Sequence, residues 1–144
     1  MKEVMRGDMM SVFGSVDHFL VCTSAIIKKG VLVMDNRLGK VLADKHPTLP
    51  AAIGKWIVEN HEGQAPVYGV KADTKVGIFQ NKILTPDFCN LGAVSFSTKK
   101  LAAIALANPT KTYALEAPND SDRYFLIENI MKMLPDNVQV WLPN

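Results

Sequence analysis

Short apolar runs alternate with stretches of helical periodicity along this whole chain, and an alternation of that kind is absorbed by a sheet covered with helices. The runs at residues 19–23, 31–34, 65–70, 76–79, 112–116 and 138–141 are rich in β-branched or aromatic residues and bounded by Gly, Pro, Asn or Asp, as strands are. Within residues 88–107, Val94, Thr98, Leu101 and Ala105 share one helical face, and from Asp122 onward Ile127, Ile130, Met131 and Leu134 follow helical spacing. Leu38, Val41 and Leu42 begin a shorter helix that His46-Pro47 stops, because the residue before proline disfavours the α region. A further helix is expected at residues 51–59, and Pro135-Asp136-Asn137 reads as a tight turn into the last strand. The expected fold is a three-layer α/β/α domain around a mixed, mostly parallel sheet of about six strands, with the first strand of the chain near residues 2–6.

The 144 residues make one domain, residues 1–144, long enough for a sizeable core. A net charge of +2 with 21% charged residues supplies no field that would recommend nucleic acid or an anionic membrane as partner. Cys22 and Cys89 are far apart, with no CxxC spacing and no histidine cluster, so neither a metal site nor a disulfide framework is indicated and no cofactor is expected. Charges at Lys2, Glu3, Arg6 and Asp8 and the absence of a long apolar run predict a soluble, cytoplasmic protein.

Chemistry concentrates between Lys28 and Leu49, where a basic turn leads to a strand, a polar loop and a helix. The first amides of a helix lack intrahelical partners and sit at the positive end of its dipole, so a strand–loop–helix junction accepts anions. The loop that usually does so is glycine-rich. Here it reads Asp35-Asn36-Arg37-Leu38-Gly39, with one glycine and an acid at its mouth.

The order of these pieces resembles the macrodomain superfamily, in particular the small macrodomain-like proteins of bacterial and phage genomes, over nearly the whole chain. Gly7-Asp8-Met9 resembles the family's early Gly-Asp-hydrophobic step, whose acid takes the adenine amino group. Residues 21–25 and 28–34, ending at Met34, look like the family's strand, asparagine turn and first ligand loop. The helix at 39–45 with His46-Pro47-Thr48-Leu49-Pro50, the strand 76–82 with Phe79, and the closing turn at 134–141 match the subgroup in order and spacing.

The departures bear on function. Ser24 stands where the family has asparagine; Asp35, Asn36 and Arg37 replace the first glycine loop; Pro118-Asn119-Asp120-Ser121-Asp122 replaces the second. Glycine lets a backbone approach a diphosphate and adopt positive φ, so side chains there block or redirect that contact. Asp35, Asp120 and Asp122 would repel phosphate if they face a cleft, whereas Arg37 and Arg123 can bind one bidentately. Each candidate has a plainer role as well. Asp8 can cap a turn, Ser121 or Asp122 can cap the last helix, the two arginines can be solvated, and Phe79 and Trp141 can be core. His18, His46 and His61 read as structural.

The resemblance implies a nucleotide pocket. With asparagine and both glycine loops changed, the positioning that hydrolysis demands is lost while binding survives. The expected function is therefore non-catalytic binding of an ADP-ribose-like or other adenine nucleotide, such as a signalling nucleotide sequestered by a phage protein. The alternatives are a hydrolase of ADP-ribosyl groups or ADP-ribose-1″-phosphate, and an interaction module with a non-functional cleft.

Overall fold

The computed structural model describes residues 4–24, 26–34, 37–60, 75–82, 89–119 and 121–143. Five strands form the central sheet: β1 (Val4–Arg6), β2 (His18–Thr23), β5 (Lys75–Gln80), β6 (Tyr113–Glu116) and β7 (Val138–Leu142), in the order β1-β7-β6-β2-β5, every pair parallel. Parallel sheets need both faces covered, and β2, β5 and β6 are accordingly almost wholly buried.

Side-chain alternation sorts the strands onto two cores. Leu20, Cys22, Tyr113 and Leu115 face one core with α3 (Leu91–Ala107) and α4 (Arg123–Asn129), while Phe19, Val21, Ile78 and Ala114 face the other with α1 (Arg37–Lys45) and α2 (Leu49–Asn60). The three layers and the first strand, at Val4–Arg6, agree with the sequence reading. The 65–70 run lies outside the described residues.

The run at 31–34 does not enter the central sheet. Ile27–Lys28 (β3) and Val31–Leu32 (β4) pair antiparallel in a hairpin, the one antiparallel pairing among the described strands. Its turn residues Lys29 and Gly30 have φ of 53° and 78°. Positive φ at both central positions is the type I′ geometry that matches strand twist, so a two-residue hairpin wins over sheet entry. The hairpin packs on α2 so closely that a Cβ at Gly54 would fall into the Gly30 carbonyl and lie 2.9 Å from the Leu32 amide nitrogen.

The last helical stretch also departs from expectation. Instead of one helix through Leu134, α4 ends at Asn129, whose Nδ2 donates to the Phe125 carbonyl at 2.9 Å, and a 3₁₀ turn follows at Met131–Met133. The side chain of Asn129 thus competes for a backbone acceptor, as short amides do at helix ends.

The connections place a reversal of strand order within the sheet. From β2 the chain leaves through α1 and α2 to β5 on one side; from β6 it leaves through α4 to β7 on the other. Strand order therefore reverses between β2 and β6, and in open α/β sheets ligands lie outside the carboxyl ends of the strands at such a reversal.

Candidate functional site

A cleft of about 280 Å³ lies over the carboxyl ends of β1 and β7 at the start of α1, lined by Gly7, Asp8, Met9, Arg37, Leu38, Val41, Trp141 and Pro143. Backbone pairing positions its floor: the Gly7 amide donates to the Leu142 carbonyl at 2.9 Å, extending the β1–β7 ladder by one step. The chain then turns sharply, with Gly7 at φ 130°, a region that side chains other than glycine rarely adopt. Asp8 follows at the N-cap of a 3₁₀ turn (Met9–Val12), its Oδ1 accepting from the Met10 amide at 3.0 Å. The capping role and a place at the cleft thus coexist. Met9 is buried beneath it. Trp141 packs into the core on the α1 side yet forms a wall of the cleft, so the two readings of this residue are compatible.

Arg37 opens α1 and reaches both ways. It lines the cleft, and its guanidinium stands 3.7 Å from Oε2 of Glu116, a residue only 1% exposed at the end of β6. Glu116 Oε1 accepts from the Cys22 amide at 2.9 Å, bridging β6 to β2 at the reversal of strand order. Burial pushes the Glu116 carboxyl up from the ordinary glutamate range; the Cys22 amide, Arg37 and the Leu38 amide pull in the opposite direction. Burial first, and Glu116 next, also push the Cys22 thiol far up, which makes it a poor nucleophile.

The other expected residues are distributed as follows. Ser24 is buried just beyond β2, its carbonyl accepting from Gln80 Nε2 at 3.2 Å. Met34 is buried in the α1-side core against Gly39, and Phe79 is buried in the opposite core. Pro118 is buried and Asn119 exposed, directly after β6. Ser121 is exposed, and Asp122 holds the N-cap position of α4 without a capping bond from its side chain. Arg123 lies over the Tyr124 ring, 5.4 Å from its centroid, and is not among the residues that line the cleft. Asp35, Asn36, Asp120 and His61 lie outside the described residues. Of the remaining histidines, His18 stacks on Tyr113 at 4.7 Å and His46 lies 5.7 Å from the Phe13 ring. Among the described residues no group of three His, Cys, Asp or Glu side chains could hold a metal, and no helix is long and apolar enough to cross a membrane.

Sequence reading did not single out Val41, Pro143 or Glu116. Val41 reads as one apolar position of a helix, and Pro143 carries no local signal of a site. Glu116 was hidden inside a strand run; a carboxylate in an otherwise apolar parallel strand was the available signal, since such residues are almost never fully buried unless paired.

The architecture has solved counterparts. The macrodomain of Thermus aquaticus DarG superposes with a TM-score of 0.72 at 16% identity, over 99% of this chain and 97% of that one. The fold is that of a macrodomain. The macrodomain of Mycobacterium tuberculosis DarG matches with a TM-score of 0.69 at 11% identity over 99% of each chain. Thermosipho africanus DarTG in complex with ADP-ribose matches with 0.72 at 15% identity, over 99% of this chain and 42% of that longer one. No protein-family model matches the sequence, nor does any curated protein sequence. Macrodomain architecture is thus retained where sequence similarity to those structures is low.

Proposed function

We propose that this macrodomain fold binds an ADP-ribose-like or other adenine nucleotide in the cleft over β1, β7 and α1, without hydrolysing it. The observation that carries the reading is the meeting in one cleft of an acidic group, a cationic group and an aromatic wall: Asp8, Arg37 and Trp141. An acid can accept from an amino group, a guanidinium can take a phosphate, and an aromatic surface favours a flat base or sugar face. The ADP-ribose held by the Thermosipho africanus DarTG structure supports the same class of ligand. The non-catalytic half rests on the side chains. Asp8 is engaged by the Met10 amide, Cys22 is a buried thiol held protonated, and Glu116 is sealed behind Arg37. Neither Cys22 nor Glu116 lines the cleft, and Asp8, which does, has its Oδ1 on the Met10 amide. A signalling nucleotide sequestered by a phage protein is the biological setting that this binding would serve.

Calorimetric titration with ADP-ribose, paired with assays for phosphate release from ADP-ribose-1″-phosphate and for loss of ADP-ribose from modified protein, tests both halves. Saturable binding with no turnover is expected. Turnover at ~1 per second or more would assign the hydrolase reading instead, and absence of binding to any adenine nucleotide would leave the cleft as an interaction surface.

A further inference from the structure

The unusual group at this site is the carboxylate beneath the cleft. Glu116 lies at the reversal of strand order, with one oxygen on the Cys22 amide and the other 3.7 Å from the guanidinium that lines the cleft. Its Oε2 is buried without a hydrogen bond of good geometry, so Arg37 at 3.7 Å and the nearby Leu38 amide at the start of α1 are what offset its charge on that side. A carboxylate this deeply buried, held by the Cys22 amide, the Leu38 amide and a guanidinium only at ion-pair distance, is incompletely repaid for lost hydration. The position it fills, against the first residues of α1 and the guanidinium, is where an incoming anion would find its donors.

We propose that Glu116 is the pocket's internal anion, occupying the anion position formed by Arg37 and the start of α1, so that a phosphate-bearing nucleotide binds by taking Arg37 over while the Glu116 carboxyl gains a proton from solvent. This rests on the nucleotide reading above. Phosphate and carboxylate cannot share one guanidinium at close range without repulsion, and taking up one proton removes it. Burial favours the protonated carboxyl, which is the direction the exchange requires. The charged and titratable groups around Glu116 among the described residues are Arg37 from α1 and Cys22 from β2, with Lys82 and Cys89 acting on Cys22. The Cys22 thiol stays protonated across the working range, which leaves Glu116 as the group that changes charge. The consequence is specificity: Glu116 holds down affinity for phosphate-bearing ligands at neutral pH, and leaves a ligand without phosphate unaffected.

The test is calorimetric titration of ADP-ribose, and of adenosine as the phosphate-free control, into the parent and Glu116→Gln proteins at about pH 8 and about pH 5, in buffers of different ionisation enthalpy. Glutamine keeps the oxygen that accepts from Cys22. The substitution should tighten ADP-ribose binding at least about tenfold at the higher pH, less at the lower, with adenosine unchanged. The parent protein should take up a proton on binding ADP-ribose, a readout that stands even if the variant folds poorly. Equal ADP-ribose affinities with no proton uptake would overturn the internal-anion role while leaving nucleotide binding intact. Failure of ADP-ribose to bind either protein would overturn both.

Discussion

Two residues carry physics that substitution can expose. Gly7 sits at φ 130°, and a Cβ there meets nothing closer than Trp141 at 4.0 Å, so backbone strain rather than crowding opposes a side chain. Gly7→Ala should cost about 1–2 kcal/mol of stability, read by chemical denaturation; a neutral effect would mean that the turn relaxes. Glu116 predicts a pH dependence of defined sign. Its native carboxyl is held above the ordinary glutamate value of 4.5, so the native state binds the proton more tightly than the unfolded chain. The stability it contributes is fully present below about pH 4.5 and is lost as pH rises through the native value. Glu116→Gln should therefore stabilise the protein at about pH 7.5, by on the order of 1 kcal/mol, and progressively less toward about pH 4.5. A gain of the same size at both pH values would contradict the burial of an ionising group. The residue scale was only partly legible beforehand. Asp8 and Met9 could be named through the resemblance, and Arg37 and Leu38 through the strand–loop–helix junction, whereas Glu116 matters through a partner 79 positions away, at Arg37. A carboxylate within an apolar strand signals that a partner exists, but not which residue it is.

At the scale of elements, the strands β2, β5, β6 and β7 were readable because buried parallel strands are runs of β-branched and aromatic residues with clear ends. The helix from Arg37 was readable from its proline stop at Pro47. The misreadings have local causes. The run at 31–34 has strand composition, but Lys29-Gly30 folds it back on Ile27–Lys28, and composition cannot tell a hairpin arm from a sheet strand. The periodicity through Leu134 is real as packing, since Ile127, Met131 and Leu134 share one core, yet it spans a helix and a 3₁₀ turn. The tight seat of α2 on the hairpin gives a sharp expectation. At Gly54 an added methyl has no room against the Gly30 carbonyl and the Leu32 amide, both backbone atoms that cannot rotate aside. Gly54→Ala should destabilise by about 1–3 kcal/mol despite the better helix propensity of alanine. Unchanged or increased stability would show that α2 does not lie against the hairpin in solution.

Across the whole molecule, a parallel sheet with helices on both faces brings the ends of β1, β6 and β7 and the start of α1 to one edge, and the chemistry collects there. The architecture supplies the cleft, and Asp8, Arg37 and Trp141 supply its chemistry. Arg37 both lines the cleft and pairs with a buried acid, and loop composition could not reveal the second contact. The central claim is that this cleft is where an adenine nucleotide binds. Amide and indole chemical shifts of isotope-labelled protein, followed during titration with ADP-ribose, test that most directly. Saturable shifts should centre on Gly7, Asp8, Met9, Arg37 and Leu38 and on the Trp141 indole, all of which line the cleft. Shifts confined to the outer faces of α3 and α4, or none that saturate at about millimolar ligand, would contradict it.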